Sequence, residues 1–206
     1  MPDRRTIISS AGALVTGPSL MSGLAASSET RITMTLEEYN IGRVDYEVVV
    51  TGTDAKKVRD TENEDSVYVD YDHELAYING TVENEKDVYS YPADEHITSI
   101  KFDGEATGDT PKIKLTTDAD KDNVNDWNLL EVQGHNEDYL SYSVEPTDGI
   151  RKYSRTEYND RIDNGRAKGQ VHDGGEDQYE IDGNFAYVGA ELGANGKIVM
   201  DWIDKK

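Results

Sequence analysis

The residues best arranged for chemistry are the carboxylates of Asp118-Ala-Asp120-Lys-Asp122-Asn-Val124-Asn-Asp126. Acidic side chains at alternate positions of a tight loop can converge on one point, and a hard cation such as Ca²⁺ takes about six to eight oxygen ligands. The run is therefore a candidate calcium site formed by Asp118, Asp120, Asp122, Val124 and Asp126. It is not an EF-hand, because Leu129 holds the twelfth position, where a bidentate Glu is needed. A solvated acidic linker accounts for the same residues in a chain with 42 Asp and Glu. Asp173-Gly-Gly-Glu-Asp177 is a weaker second cluster and reads more readily as a hairpin turn.

Tyrosine is the other conspicuous residue, with 13 copies against two Phe and two Trp. Its amphipathic ring can stack on a sugar from a sheet face or loop, which makes Tyr68, Tyr71, Tyr77 and Tyr91 candidate ligand contacts. The same ring also suits a half-buried strand. Asn79-Gly-Thr81 is a glycosylation sequon, so Asn79 is a candidate acceptor. No nucleophile elbow, zinc-protease helix, phosphate loop or dinucleotide fingerprint occurs. His73, His96, His135 and His172 are scattered without metal-ligand spacing. We therefore expect no enzyme. A carboxylate-dependent glycan hydrolase stays open as an alternative, because Asp and Glu lie everywhere along the chain.

The elements that must position these groups are strands. Ile32, Met34 and Leu36 alternate with polar residues, as do Val44, Tyr46, Val48 and Val50. Val67–Tyr71, Leu75–Val82, Asp87–Tyr91, Ile97–Phe102 and Lys112–Thr116 follow as short strand candidates, most of them separated by Gly, Asn, Asp or Pro. Ser154–Ile162 is the best short-helix candidate. The second half also rereads the first. Val44-Asp-Tyr46-Glu-Val48 matches Leu140-Ser-Tyr142-Ser-Val144, and Gly80-Thr-Val82 then Asp87-Val-Tyr89 matches Gly169-Gln-Val171 then Asp177-Gln-Tyr179. Lys112-Ile113 matches Lys197-Ile198 in the same order. This pattern predicts an all-β fold of two tandem antiparallel β-sandwich units, 31–117 and 127–203, each of six or seven strands and joined by the linker 118–126. One larger sandwich built from both halves is the alternative. The paired tyrosines Tyr46/Tyr142 and Tyr89/Tyr179 are expected in the core.

The formal net charge is -21, spread through every segment. Such a surface repels itself unless counterions screen it, which suits a folded protein in concentrated salt. It excludes phosphate neutralisation of nucleic acid and a polybasic hold on anionic lipid. With no Cys, disulfides and thiolate chemistry are excluded too. Arg4 and Arg5, a weakly apolar stretch to Ala26 and the small-residue exit Ala25-Ala26-Ser27 form an export-signal pattern over 1–26. The gap-free arginine pair before Thr-Ile-Ile resembles a twin-arginine motif. The expected location is secreted or cell surface, without membrane insertion once the signal is removed.

The acidic run resembles the calcium-binding repeats of thrombospondin type 3, with Asn123 at a usual glycine. The twin-arginine start, acidic body and Gly-x-Val…Asp-x-Tyr strand pair ending in Lys-Ile resemble exported proteins of halophilic archaea. In particular they resemble a β module found at the ends of their secreted polysaccharide-active proteins. That resemblance implies a non-catalytic accessory role, holding an extracellular glycan or envelope component. A structural alternative is self-association into a filament or matrix by strand addition, with residues 27–36 as donor.

Overall fold

A computed structural model describes residues 30–40, 42–59, 65–105, 110–121, 127–135, 139–156, 159–193 and 195–203. Arg4, Arg5 and the rest of the expected signal lie outside the described residues, as do Asp122, Val124 and Asp126. No helix among the described residues is long and apolar enough to cross a membrane.

The first half runs β1 (Arg31–Glu38), β2 (Arg43–Thr51), β3 (Lys56–Arg59), β4 (Ser66–Asp70), β5 (Leu75–Val82), β6 (Lys86–Pro92), β7 (Ile97–Glu105) and β8 (Lys112–Thr117). The second half runs β9 (Trp127–His135), β10 (Leu140–Pro146), β11 (Gly149–Lys152), β12 (Arg161–Asp163), β13 (Arg166–Val171), β14 (Glu176–Asp182), β15 (Phe185–Glu191) and β16 (Lys197–Ile203). The expected helix over 154–162 does not form among its described residues, and Arg161–Asp163 is strand β12 instead. Its apolar content is too low to hold a helical stripe against the core. The turn at Asp173–Gly175 links β13 to β14, with Gly174 at φ 71°, as its paired glycines require.

Within the first half, β1 pairs with β8, β2 with β7, β3 with β6 and β4 with β5. These nested pairs make a long hairpin folded over on itself, in the manner of a jelly roll. Pairs β1·β6 and β2·β5 then complete two four-stranded layers. The second half repeats every one of these pairings with numbers raised by eight. The duplication expected from short motifs is thus repeated in the topology, strand for strand.

The halves meet edge to edge. β8 pairs with β15 and β7 with β16, giving sheet I as β12-β13-β10-β15-β8-β1-β6-β3 and sheet II as β11-β14-β9-β16-β7-β2-β5-β4. The fold is all-β, two eight-stranded antiparallel sheets in a sandwich, with two sandwich units fused into continuous layers. Exchanging the halves exchanges the sheets. The linker is therefore no hinge, because backbone ladders on both layers clamp one half to the other. Ser99 Oγ donates to Asp201 Oδ1 at 2.6 Å and Lys112 Nζ to Glu191 Oε1 at 2.7 Å across that seam.

One apolar core fills both halves, drawn from alternate positions of the strands. Two polar clusters sit inside it. Tyr46 Oη on sheet II reaches across to β6 of sheet I, 2.8 Å from Asp87 Oδ2 and 2.7 Å from Tyr89 Oη. Tyr142 Oη on sheet I makes the same reach to β14, 2.7 Å from Asp177 Oδ2 and 2.7 Å from Tyr179 Oη. The ring pairs share an edge-on geometry, with centroids 6.3 Å apart in both copies. Asp65 and Asp160, both buried, close the two clusters. A Cβ at Gly80 would lie 2.3 Å from Tyr46 Oη, and one at Gly169 would lie 2.3 Å from Tyr142 Oη. The repeated glycine is the space these hydroxyls occupy.

Two expectations follow. Tyr142→Phe leaves Asp177 short of a buried partner and should cost about 1–3 kcal/mol in urea unfolding; Gly169→Ala should cost a similar amount by overpacking. Burial raises the phenols of Tyr46, Tyr89, Tyr91, Tyr142 and Tyr179 above the ordinary 10.0. The folded chain then keeps protons that the unfolded chain loses, so stability is intact below pH 10.0 and falls as pH rises beyond it. In an alkaline titration, tyrosinate absorbance from these residues should appear together with loss of the sheet signal. Ionisation with the sheet signal retained would contradict this placement.

Candidate functional site: a trough on the outer face of sheet I

Tyrosines were the expected contacts, and the structure divides them. Tyr68 and Tyr71 are 64% and 77% exposed, and Tyr68 lies beside Tyr77 with ring centroids 6.1 Å apart. Tyr68 and Tyr77 are register partners on β4 and β5, so their rings share the outer face of sheet II near its edge. Tyr91 is a correction. It is fully buried between the layers, because β6 points Asp87, Tyr89 and Tyr91 inward at alternate positions. No ligand can reach it.

Of the expected calcium set, only Asp118 and Asp120 lie among the described residues. Asp118 Oδ1 accepts the backbone N–H of Thr33 at 2.5 Å, tying the start of the linker to β1. Among the described residues no group of three or more acidic or histidine side chains is placed to hold a metal ion. Asn79 lies on β5 with its side chain on the outer face of sheet II, half-buried beside Glu47.

A concavity lies elsewhere, on the second half of sheet I. It is a trough of about 440 Å³ over β12, β13, β10, β15 and the end of β1. Its floor follows from register. Arg161 pairs with Lys168, Lys168 with Ser143, Ser143 with Gly189 and Gly189 with Lys114, a row that crosses five strands. At about 4.8 Å per strand this row is roughly 19 Å long. Ser143 is small and Gly189 has no side chain, and the Tyr187 phenol lies over Gly189, where an added Cβ would stand 2.4 Å from its Oη. On one side stands Tyr187, with the Arg166 guanidinium 4.1 Å from its ring centre and bonded to Glu145. On the other are Ser141, Gln170 and Glu191.

Tyr39, just past β1, closes one end. Its ring is half exposed, 5.6 Å from Lys114 Nζ, and burial followed by the nearby Tyr187 and Glu191 raises its phenol above the ordinary range. Ser143 Oγ is buried on the floor with no hydrogen-bond partner. Such an atom costs free energy until water or a ligand satisfies it. At the other end Arg161 is exposed, with no carboxylate within 4.0 Å among the described residues, and Lys168 beside it likewise lacks an ion pair.

The repeat supplies an internal comparison. The equivalent place in the first half is a smaller hollow of about 270 Å³ on sheet II, lined by Asp45, Glu47, Asn79, Lys101 and Asp103. Matching the ladders puts Glu47 where Ser143 stands, Lys101 where Gly189 stands and Asn79 where Lys168 stands. The lining holds three carboxylates and one cation there, against three cations and one carboxylate in the trough. One scaffold therefore presents a smaller, acidic hollow and a larger, basic one.

Sequence reasoning missed the trough, though its signal was present in the aligned repeats, where Asp-Tyr-Glu becomes Ser-Tyr-Ser and Asn-Gly becomes Lys-Gly. No family model matches this sequence, and no curated protein and no solved structure matches it.

Proposed function

We propose that the chain is an exported, non-catalytic binding module that holds an extracellular glycan in the trough of sheet I. The observation that carries this reading is the larger and more cationic second-half hollow, where Ser143 replaces Glu47 and Gly189, beneath the Tyr187 phenol, replaces Lys101. A polar floor, a half-exposed ring at one end and several planar or hydroxyl side chains match what sugar hydroxyls and ring faces need. The row length suits an extended oligosaccharide better than a single sugar.

The lining argues for binding without catalysis. The Glu191 carboxylate is the only acid in it, and Lys112 engages that group at 2.7 Å. A glycosidase needs two carboxyl groups, one on each side of the scissile bond. The acidic surface supports work in concentrated salt, and the export pattern supports a place at or beyond the cell surface.

Copying the first half into the second tests the site. Gly189→Lys and Ser143→Glu should each fill the trough and abolish retention on a glycan array that the natural chain binds. Thermal unfolding of both variants should stay cooperative, since neither position faces the core and Gly189→Lys displaces only the end of the Tyr187 side chain. Unchanged binding in both variants would place the glycan site elsewhere on the molecule.

A further inference from the structure

Resting on the glycan reading above, we infer that the trough selects an acidic glycan, and that Arg161 and Lys168 grip its carboxylate. The case rests on charge in context. Acidic residues outnumber basic ones two to one, 42 against 21, so a basic side chain here has many carboxylates to choose from. Arg31, Arg43, Arg151, Arg155 and Arg166 each have one within 4.0 Å. Arg161 has none among the described residues, although it stands on a sheet face with Lys168 as its register partner. Two like charges held side by side repel, and the fold gains nothing from the pairing.

The surroundings keep the pair available. Arg166 is committed to Glu145 and to the face of Tyr187, and Glu191 is committed to Lys112. Glu145 and Glu191 are thus held by other cations, and Asp163, on the same face of β12, makes no ion pair with Arg161 within 4.0 Å. The cationic end of the trough is continuous through Ser143 and Gly189 with the ring of Tyr39 at the other end. A uronate placed at Arg161 thus leaves neighbouring sugars over Ser143 and the Tyr187 ring that covers Gly189. Guanidinium accepts a planar carboxylate through two parallel hydrogen bonds, a geometry that survives salt better than a point-charge contact. The first half has Ser66 and Asn79 at the same two places, so the grip belongs to the second half alone.

The experiment is a titration of the mature chain against matched oligosaccharides with and without uronic acid residues, with a sulfated set and polyglutamate as separate arms. Uronate oligosaccharides should bind, their neutral partners should bind at least about tenfold more weakly, and Arg161→Ala with Lys168→Ala should weaken uronate binding by about tenfold to a hundredfold. Stronger binding of the sulfated set would replace the carboxylate by a sulfate and overturn that part of the inference. Equal binding of neutral and acidic sugars, unaffected by the double variant but lost in Gly189→Lys, would overturn the acidic preference and keep the glycan site. Binding of polyglutamate as tight as that of the sugars, or binding of nothing, would overturn both readings.

Discussion

The hydroxyls of Tyr46 and Tyr142 carry buried hydrogen bonds that join one layer of the sandwich to the other through side chains. Apolar burial would hold two sheets together at many sliding positions, since dispersion and hydrophobic contact have little direction. A phenol that must meet a carboxylate and a second phenol across the gap permits one register only. The bond also dictates its neighbours. Gly80 and Gly169 must lack a side chain because the hydroxyl fills that volume, and Asp87 and Asp177 must face inward, which sets the phase of β6 and β14. A phase error of one residue would turn those carboxylates to solvent and strand the phenols.

Because that constraint sits inside, the outer faces are free to diverge. The two halves agree closely at Tyr46 and Tyr142, at Tyr89 and Tyr179, and at the glycines between them. On the outer face of the same strands they agree hardly at all: Asp45 and Glu47 stand opposite Ser141 and Ser143. Strand by strand, inward positions preserve the sandwich and outward ones differ in size and charge. The edge-to-edge fusion places the two diverged faces on opposite layers, so an acidic face and a basic face look away from each other. Their separation lets the basic trough persist in a chain whose average surface would otherwise neutralise it.

Much of the fold was legible before the structure. Alternation of Ile32, Met34 and Leu36, and of Val44, Tyr46 and Val48, marks the inward faces of β1 and β2, and the repeated Gly-x-Val and Asp-x-Tyr motifs turn out to be the polar clusters. The short strands β3, β11 and β12 were not legible, because three or four residues with little apolar content give no period to read. Asp65 and Asp160 were hidden for a different reason: among 42 acidic residues, nothing local marks a buried carboxylate from an exposed one. Tyr91 misled because tyrosine serves both core and surface, and only the inward phase of β6 decides between them. The trough depends on residues from five strands brought together by register, which no local pattern encodes.

Register also bears on association between copies. β1, the expected donor strand, is paired along its length to β6 on one side and to β8 on the other, in the middle of sheet I. Donating it would dissolve the centre of its own layer. The free edges are β3 and β12 on sheet I and β4 and β11 on sheet II, and they are three to five residues long. Lys56 and Lys57 sit on β3, while Arg151 and Lys152 sit on β11, its counterpart in the second half. Short edges resist addition of another strand, and β3, β11 and β12 add basic side chains that β4 lacks. The duplicated half meets its sister through long, well-matched ladders at β8·β15 and β7·β16, and those ladders use up the two extended edges each half would have on its own. Fusion of the repeats thus does internally what strand addition would do between molecules.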